Sequence, residues 1–278
     1  MQSTMKKIFF IFAAALFSFT ACVQDEIFKG PSTIDKVVFS PEAPTSISQV
    51  TVTATISGLQ AVTKATLNYN GKDVDMTGSG STFTGTIPAQ PDGTEVKFKV
   101  TVVNEAEFTT VSDEFSYTVG DPATDWTKLK LNEVGGSGAD EEKFFELWNG
   151  SDYPIKLTGV TINKDEALTW TGIAGEVVPA HGFFGIIGGK GTTERGFSSG
   201  FSSKKSVIVE LFDPSGNKLD TFQRGEKGDD GTWGASLTDN KGSWSRIPDG
   251  TGAWKITATK TPGAANSTEG TDDPDIKQ

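Results

Sequence analysis

From Ile34 to Val119, apolar and polar residues alternate in short runs separated by turn residues. Val50, Val52, Ala54 and Ile56 alternate with Thr51, Thr53 and Thr55, the period-two pattern of a strand with one buried face. Seven segments of this kind follow one another: "IDKVVFS", "QVTVTATIS", "TKATLNYN", "KDVDM", "STFTGTIP", "TEVKFKVTVV" and "EFSYTV". Asn70-Gly71 joins two of them as a two-residue hairpin turn, and Pro91-Asp92-Gly93 marks another turn. This spacing predicts an immunoglobulin-like β-sandwich over 34–120. Residues 121–127 read as a linker, after which strands resume in "KLKLNEV", "KFFELWN", "IKLTGVTI", "GFFGIIG", "SVIVELF" and "NKLDTFQR". Beyond the first residues, no window carries a convincing helical stripe. The expected fold class is all-β, with two consecutive immunoglobulin-like sandwiches. Past Asn266, "STEGTDDPDIKQ" is polar and acidic, and a disordered tail is expected over 267–278.

Composition sharpens the boundary and narrows the chemistry. All six Trp lie at 126 or beyond, so the two strand-rich halves differ in kind. The net charge is −11. It becomes more negative once the first 21 residues, which hold Lys6 and Lys7 and no acid, are set aside. Such an excess repels phosphate backbones, so nucleic acid is not an expected partner. One Cys, Cys22, and one His, His181, exclude an internal disulfide and any multi-Cys or multi-His metal site. A Ser-His-Asp triad would have to use His181, which the pattern places in an exposed turn beside a strand. No cofactor is implied.

The N-terminus reads as an address. Lys6-Lys7 precede the apolar run "IFFIFAAALFSF" over 8–19, shorter than the ~20 residues needed to span a bilayer core and shaped like a secretory h-region. Thr20-Ala21 then stand immediately before Cys22. The arrangement resembles a bacterial lipoprotein signal, with Phe19 in place of the usual Leu. It implies removal of residues 1–21, lipid on Cys22 and a lipidated tether over 22–33. Several acyl chains make a stable membrane anchor, at about 0.8 kcal/mol per buried methylene. Gln24-Asp25-Glu26 is similar to the acidic signal of Bacteroidetes-type surface lipoproteins. The resemblance implies an outer-membrane location, lipid-anchored and facing the extracellular side.

The second half resembles a lamin-tail domain. The residues that carry the likeness are "LNEV", "KFFELWNGSDYPIKLTGVTI", "VVPAHGFFGII", "VIVELFDPSGNKLDTF" and "SRIPDGTGAWKITATKTPGAAN". They cover 128–266, and the last block is the most specific. The family implies an immunoglobulin-type sandwich, with Phe145 and Leu147 packing inward and Trp170 and Trp254 in the core. In bacteria such domains accompany hydrolases such as phosphoesterases, whereas no companion catalytic domain is expected in this chain. The first sandwich, without a Cys pair or a Trp, is similar to the Ig-like and fibronectin-like spacers of bacterial surface proteins; fold alone assigns no function.

Three features are candidates for chemistry. "ADEEKFFE" gathers Asp140, Glu141, Glu142 and Glu146. Carboxylates so grouped serve acid–base catalysis or hold calcium through oxygen ligands, and Asp140, Glu141 and Glu142 are weak calcium candidates beside the reading as solvated loop acids. "IIGGKGTT" lacks the glycine and hydroxyl spacing of a phosphate loop. The stretch 189–205 carries Phe197 and Phe201, and 225–243 carries Trp233. With Trp148, which shares a strand face with Phe144 and Glu146, they form a candidate binding surface for stacking on sugars or anchoring a protein; the competing reading is that they cap the core. The expected function is a non-enzymatic surface lipoprotein, a module for adhesion or for binding extracellular glycan or protein. The alternative is an accessory scaffold that holds a hydrolase or transporter complex at the outer membrane. A hydrolase built around Glu146 would need two carboxylates converging in a cleft.

Overall fold

The computed structural model describes residues 29–189, 196–197 and 202–277. The chain divides into two compact units. One comprises Met1–Ser40, Val50–Ile87 and Val96–Ser116, and the other Pro41–Gln49, Pro88–Glu95 and Tyr117–Gln278. Cys22, the expected signal segment and Phe201 lie outside the described residues.

The first sandwich holds β1 (Thr33–Ser40), β2 (Val50–Ser57), β3 (Val62–Tyr69), β4 (Lys72–Asp75), β5 (Thr77–Ser79), β6 (Thr82–Ile87), β7 (Glu95–Asn104), β8 (Thr109–Val111) and β9 (Phe115–Thr118). One sheet runs β1-β2-β6-β5, the other β4-β3-β7-β8 with β9 paired to β7. The alternation seen in the sequence is obeyed: Val50, Val52, Ala54 and Ile56 are buried, as are Leu67, Phe98 and Val100 of the other sheet. Asn70 and Gly71 take φ of 45° and 78°, the left-handed pair that a tight hairpin turn requires. The short strands β5 and β8 are the two that the pattern did not announce.

The second sandwich holds β10 (Leu129–Gly135), β11 (Phe144–Asn149), β12 (Ile155–Lys156), β13 (Thr161–Lys164), β14 (Ala167–Thr171), β15 (Val177–Val178), β16 (Phe183–Ile187), β17 (Val207–Phe212), β18 (Lys218–Arg224), β19 (Ser243–Ile247), β20 (Ala253–Thr257) and β21 (Ile276–Lys277). Its front sheet runs β16-β11-β10-β19-β20 and its back sheet β14-β13-β17-β18-β21. Between them lie Leu131, Val134, Phe145, Leu147, Ile162, Trp170, Val209, Phe222, Trp244 and Trp254, all buried. Phe222 packs on both Trp244 and Trp254, with ring centroids 5.5 and 4.8 Å away. The chain is all-β, with two antiparallel sandwiches.

The tail differs from expectation. Residues 267–277 are ordered, and Ile276–Lys277 pairs with Arg224 and Gln223 as the edge of the back sheet. The cause is a buried charge. Arg224, 1% exposed, donates Nε to Asp273 at 2.7 Å, and Trp244 Nε1 donates to the same oxygen at 2.8 Å. A composition of acids and small residues looks disordered only while the buried cation that one acid must balance goes unseen.

Candidate functional site

The chemistry of the second sandwich gathers on the outer face of its front sheet. Along β10 the alternation slips by one residue at Asn132, so Leu131 and Val134 both reach the core while Glu133 pairs directly with Glu146 of β11. This bulge turns Asn132 and Glu133 onto the face away from the core. Ser245 of β19 pairs with Glu133 on the other side. Two carboxylates thus stand side by side on a face that a sandwich ordinarily leaves to water, yet both are 0% exposed.

Their cover is the segment after β20. The backbone at 261–264 runs over Gly185, where a Cβ would stand 3.2 Å from the Gly263 nitrogen. Gly263 N–H donates to Glu146 Oε2 at 2.6 Å, Ala264 N–H donates to the same oxygen at 3.2 Å, and Asn132 Nδ2 donates to Oε1 at 2.8 Å. Glu133 receives Thr261 N–H at 3.0 Å, Thr261 Oγ1 at 2.7 Å and the hydroxyl of Ser243. Asn266 continues the seam, donating to Asn132 O and Arg246 O, while Asp249 accepts from Asn132 and from Asn266 N–H. The sequence block "IPDGTGAWKITATKTPGAAN" is therefore the counterpart of "LNEV" and "FFELWN": side chains of two strands hold the backbone of a segment about 120 residues later.

Burial is the main force on both acids. It pushes Glu146 up to about 8, against the Asn132 and Gly263 donors and with the Glu133 charge adding to the rise. It raises Glu133 as well, against the donors Ser243 and Thr261. Two such carboxyls titrate as a unit. These are the raised acids that general acid catalysis calls for, but they face donors of their own chain and no cleft.

The residues expected to form a binding surface are dispersed. Phe197 is buried and stacks on Phe145 with centroids 4.4 Å apart, so it belongs to the core; a bridge between Gly188 and Phe197 draws this residue against the edge of the front sheet. Trp148 is half-buried. The turns at Gly150 and Gly250 pack on its ring, where a Cβ on Gly250 would approach within 1.9 Å of Cε3. Trp233 is half-buried in the turn closed by Gly228 N–H to Thr232 O, with Asp230 Oδ1 accepting from Thr232. Its Nε1 is enclosed without a hydrogen-bond partner of good geometry. Lys227 holds Glu166 below the ordinary carboxylate range, with Trp233 a minor contributor. Trp170 and Trp254 are core residues, and His181 sits exposed in a turn at φ 51°, 2.9 Å from Asp152.

Asp140, Glu141 and Glu142 form one 3-10 turn. Asp140 pairs with Lys143 at 2.8 Å and Glu142 Oε2 accepts Ala139 N–H. Among the described residues, no group of three or more His, Cys, Asp or Glu side chains is placed to hold a metal ion. Sequence reasoning passed over Glu133, Asn132, Asp249, Thr261 and the Arg224–Asp273 pair. One signal was present: Asn132-Glu133 interrupts an apolar alternation with two successive polar residues, the mark of a bulge.

No family model matches the chain. No curated protein matches it either. Among solved structures it is similar to the fibronectin(III)-like modules of Clostridium thermocellum CbhA, at 11% identity over 68% of this chain and 91% of that one, with a TM-score of 0.26. It is also similar to a cycloalternan-forming enzyme from Listeria monocytogenes solved with a pentasaccharide substrate, at 14% identity and a TM-score of 0.25. That match spans 69% of this chain and 19% of the Listeria chain. Likenesses this distant do not bear on function.

Proposed function

We propose that the chain is a non-enzymatic surface lipoprotein, anchored in the outer membrane through lipid on Cys22. In this reading the first sandwich is a spacer, and the second, lamin-tail-like sandwich is an adhesion or binding module for extracellular glycan or protein. The observation that carries the non-catalytic half is the fate of the acids. Glu133 and Glu146 are sealed under the chain's own backbone, and Asp140 is paired with Lys143. Acid catalysis needs a carboxyl that a substrate can reach.

The binding half rests on a smaller surface than the sequence suggested. Among the described candidates, Trp148 and Trp233 each keep part of their surface exposed, and Trp233 stands on a Gly-rich turn beside the Lys227–Glu166 pair. Large aromatic side chains on turns contribute much of the energy of recognition. The test is binding of the mature chain to glycan arrays and to surface-protein extracts, with Trp233→Ala in parallel. Binding by the wild type that drops at least tenfold in Trp233→Ala supports the module. Silence in both assays refutes a binding role. Metabolic labelling with a palmitate analogue, lost in Cys22→Ala, tests the anchor separately.

A further inference from the structure

The closure of the second sandwich joins two anchors of opposite electrostatic character. The first half of the closing segment lies on Glu133 and Glu146 through Thr261, Gly263 and Ala264. The second half crosses β20, where Ile256 and Thr271 exchange both backbone hydrogen bonds, and ends on the Arg224–Asp273 ion pair. Only the second anchor has balanced charge. Lys260 Nζ goes to Ser137 O and Glu142 O, Lys255 pairs with Asp272, and Lys143 pairs with Asp140. Asp249 adds a negative group through Asn132, and Gly185 of β16 brings no charge. The two buried carboxylates therefore face each other across β10 and β11 with no cation bonded to either, an arrangement that costs stability unless the pair holds a proton.

The proton belongs to the pair. Glu146 receives three N–H groups, yet burial outweighs them and pushes it up to about 8. Glu133 touches Ser243 Oγ, which in turn meets Thr257 Oγ1 at 3.0 Å, and Thr257 Oγ1 meets Ser245 Oγ at 2.7 Å. Hydroxyls accept as readily as they donate, so a protonated Glu133 can give its hydrogen to Ser243 while still accepting from Thr261.

We propose that residues 260–277 form a strap whose first half is latched by one proton shared between Glu133 and Glu146, so that local opening of 261–266 is pH-dependent while 273–277 stays docked. Opening exposes both acids to water, where each ionises near its usual 4.5. In the closed strap burial raises both acids, and Glu146 keeps its proton up to about 8. Between those limits each opening event releases one proton, so the opening equilibrium rises about tenfold per pH unit and levels off above the upper limit.

Hydrogen exchange on the full mature chain, corrected for intrinsic rates, reads this directly. From pH 5.5 to 7.5 the protection of Thr261, Gly263 and Ala264 amides is expected to fall about a hundredfold, while that of Ile276 and of β17 stays constant. Replacing both acids (Glu133→Gln with Glu146→Gln), which leaves two uncharged side chains under the strap, is expected to abolish the slope. Equal protection of the strap at both pH values in the wild type, or an unchanged slope in the double variant, overturns the proposal. If that variant does not fold, carboxyl ¹³C shifts of the wild type decide: one of the two Glu titrating above pH 7 is expected, and both titrating below pH 5 overturns it.

Discussion

Replacing Asp273 by Ala removes the carboxylate that balances Arg224. The guanidinium is 1% exposed and the Asp273 side chain 2%, so water cannot take the place of the lost partner. Arg224 would keep Ser203 O at 3.2 Å, Thr238 O at 2.7 Å and a longer contact to Asp275 at 3.4 Å. Its Nε and the Trp244 Nε1 would both lose the acceptor they share. Breaking a buried ion pair from one side costs about 3–5 kcal/mol, because an uncompensated charge stays behind. Asp275→Ala is the control: that side chain is 31% exposed, and its loss should cost under ~1 kcal/mol. Urea unfolding followed by tryptophan fluorescence measures both. All six Trp lie at 126 or beyond, so the signal reports the second sandwich alone. A loss below about 1 kcal/mol in Asp273→Ala would refute the reasoning and return the tail to a frayed appendage.

Phe197→Ala is expected to cost about 3–5 kcal/mol in the same unfolding assay, since it empties a site stacked on Phe145; an exposed ligand-binding residue would cost almost nothing. Gly250→Ala should destabilise by at least ~1–3 kcal/mol, because φ is +65° and the new Cβ meets the Trp148 ring, and a shift in Trp148 fluorescence would accompany it. The pH profile of stability should fall on both sides. Burial works to raise Asp273, but Trp244 and Arg224 outweigh it and hold the carboxyl below its usual 3.8, so this contribution is lost as pH falls through that lowered value. Burial raises both Glu133 and Glu146, so their penalty grows as pH rises above about 4.5, for Glu146 up to about 8. Titrating the unfolding midpoint checks both limbs.

What the sequence determined by itself was local. Strand positions, turn chemistry and the all-β class follow from a period-two pattern and from Gly, Asn and Asp at the turns, because φ/ψ preferences and face alternation act over a few residues. Phe145 and Leu147 could be placed in the core for the same reason. The alternation in "KFFELWN" also set Phe144, Glu146 and Trp148 on the opposite face, but it could not say what covers that face. Only the tertiary structure decided it. The Thr261–Asn266 backbone arrives from about 120 residues away and turns a carboxylate that looked ready for chemistry into a buried acceptor. Phe197 and Asp273 changed meaning by the same route, one in contact with Phe145 and the other with Arg224. Burial and charge balance are properties of which segments meet, and that information is not carried by any short window of the chain.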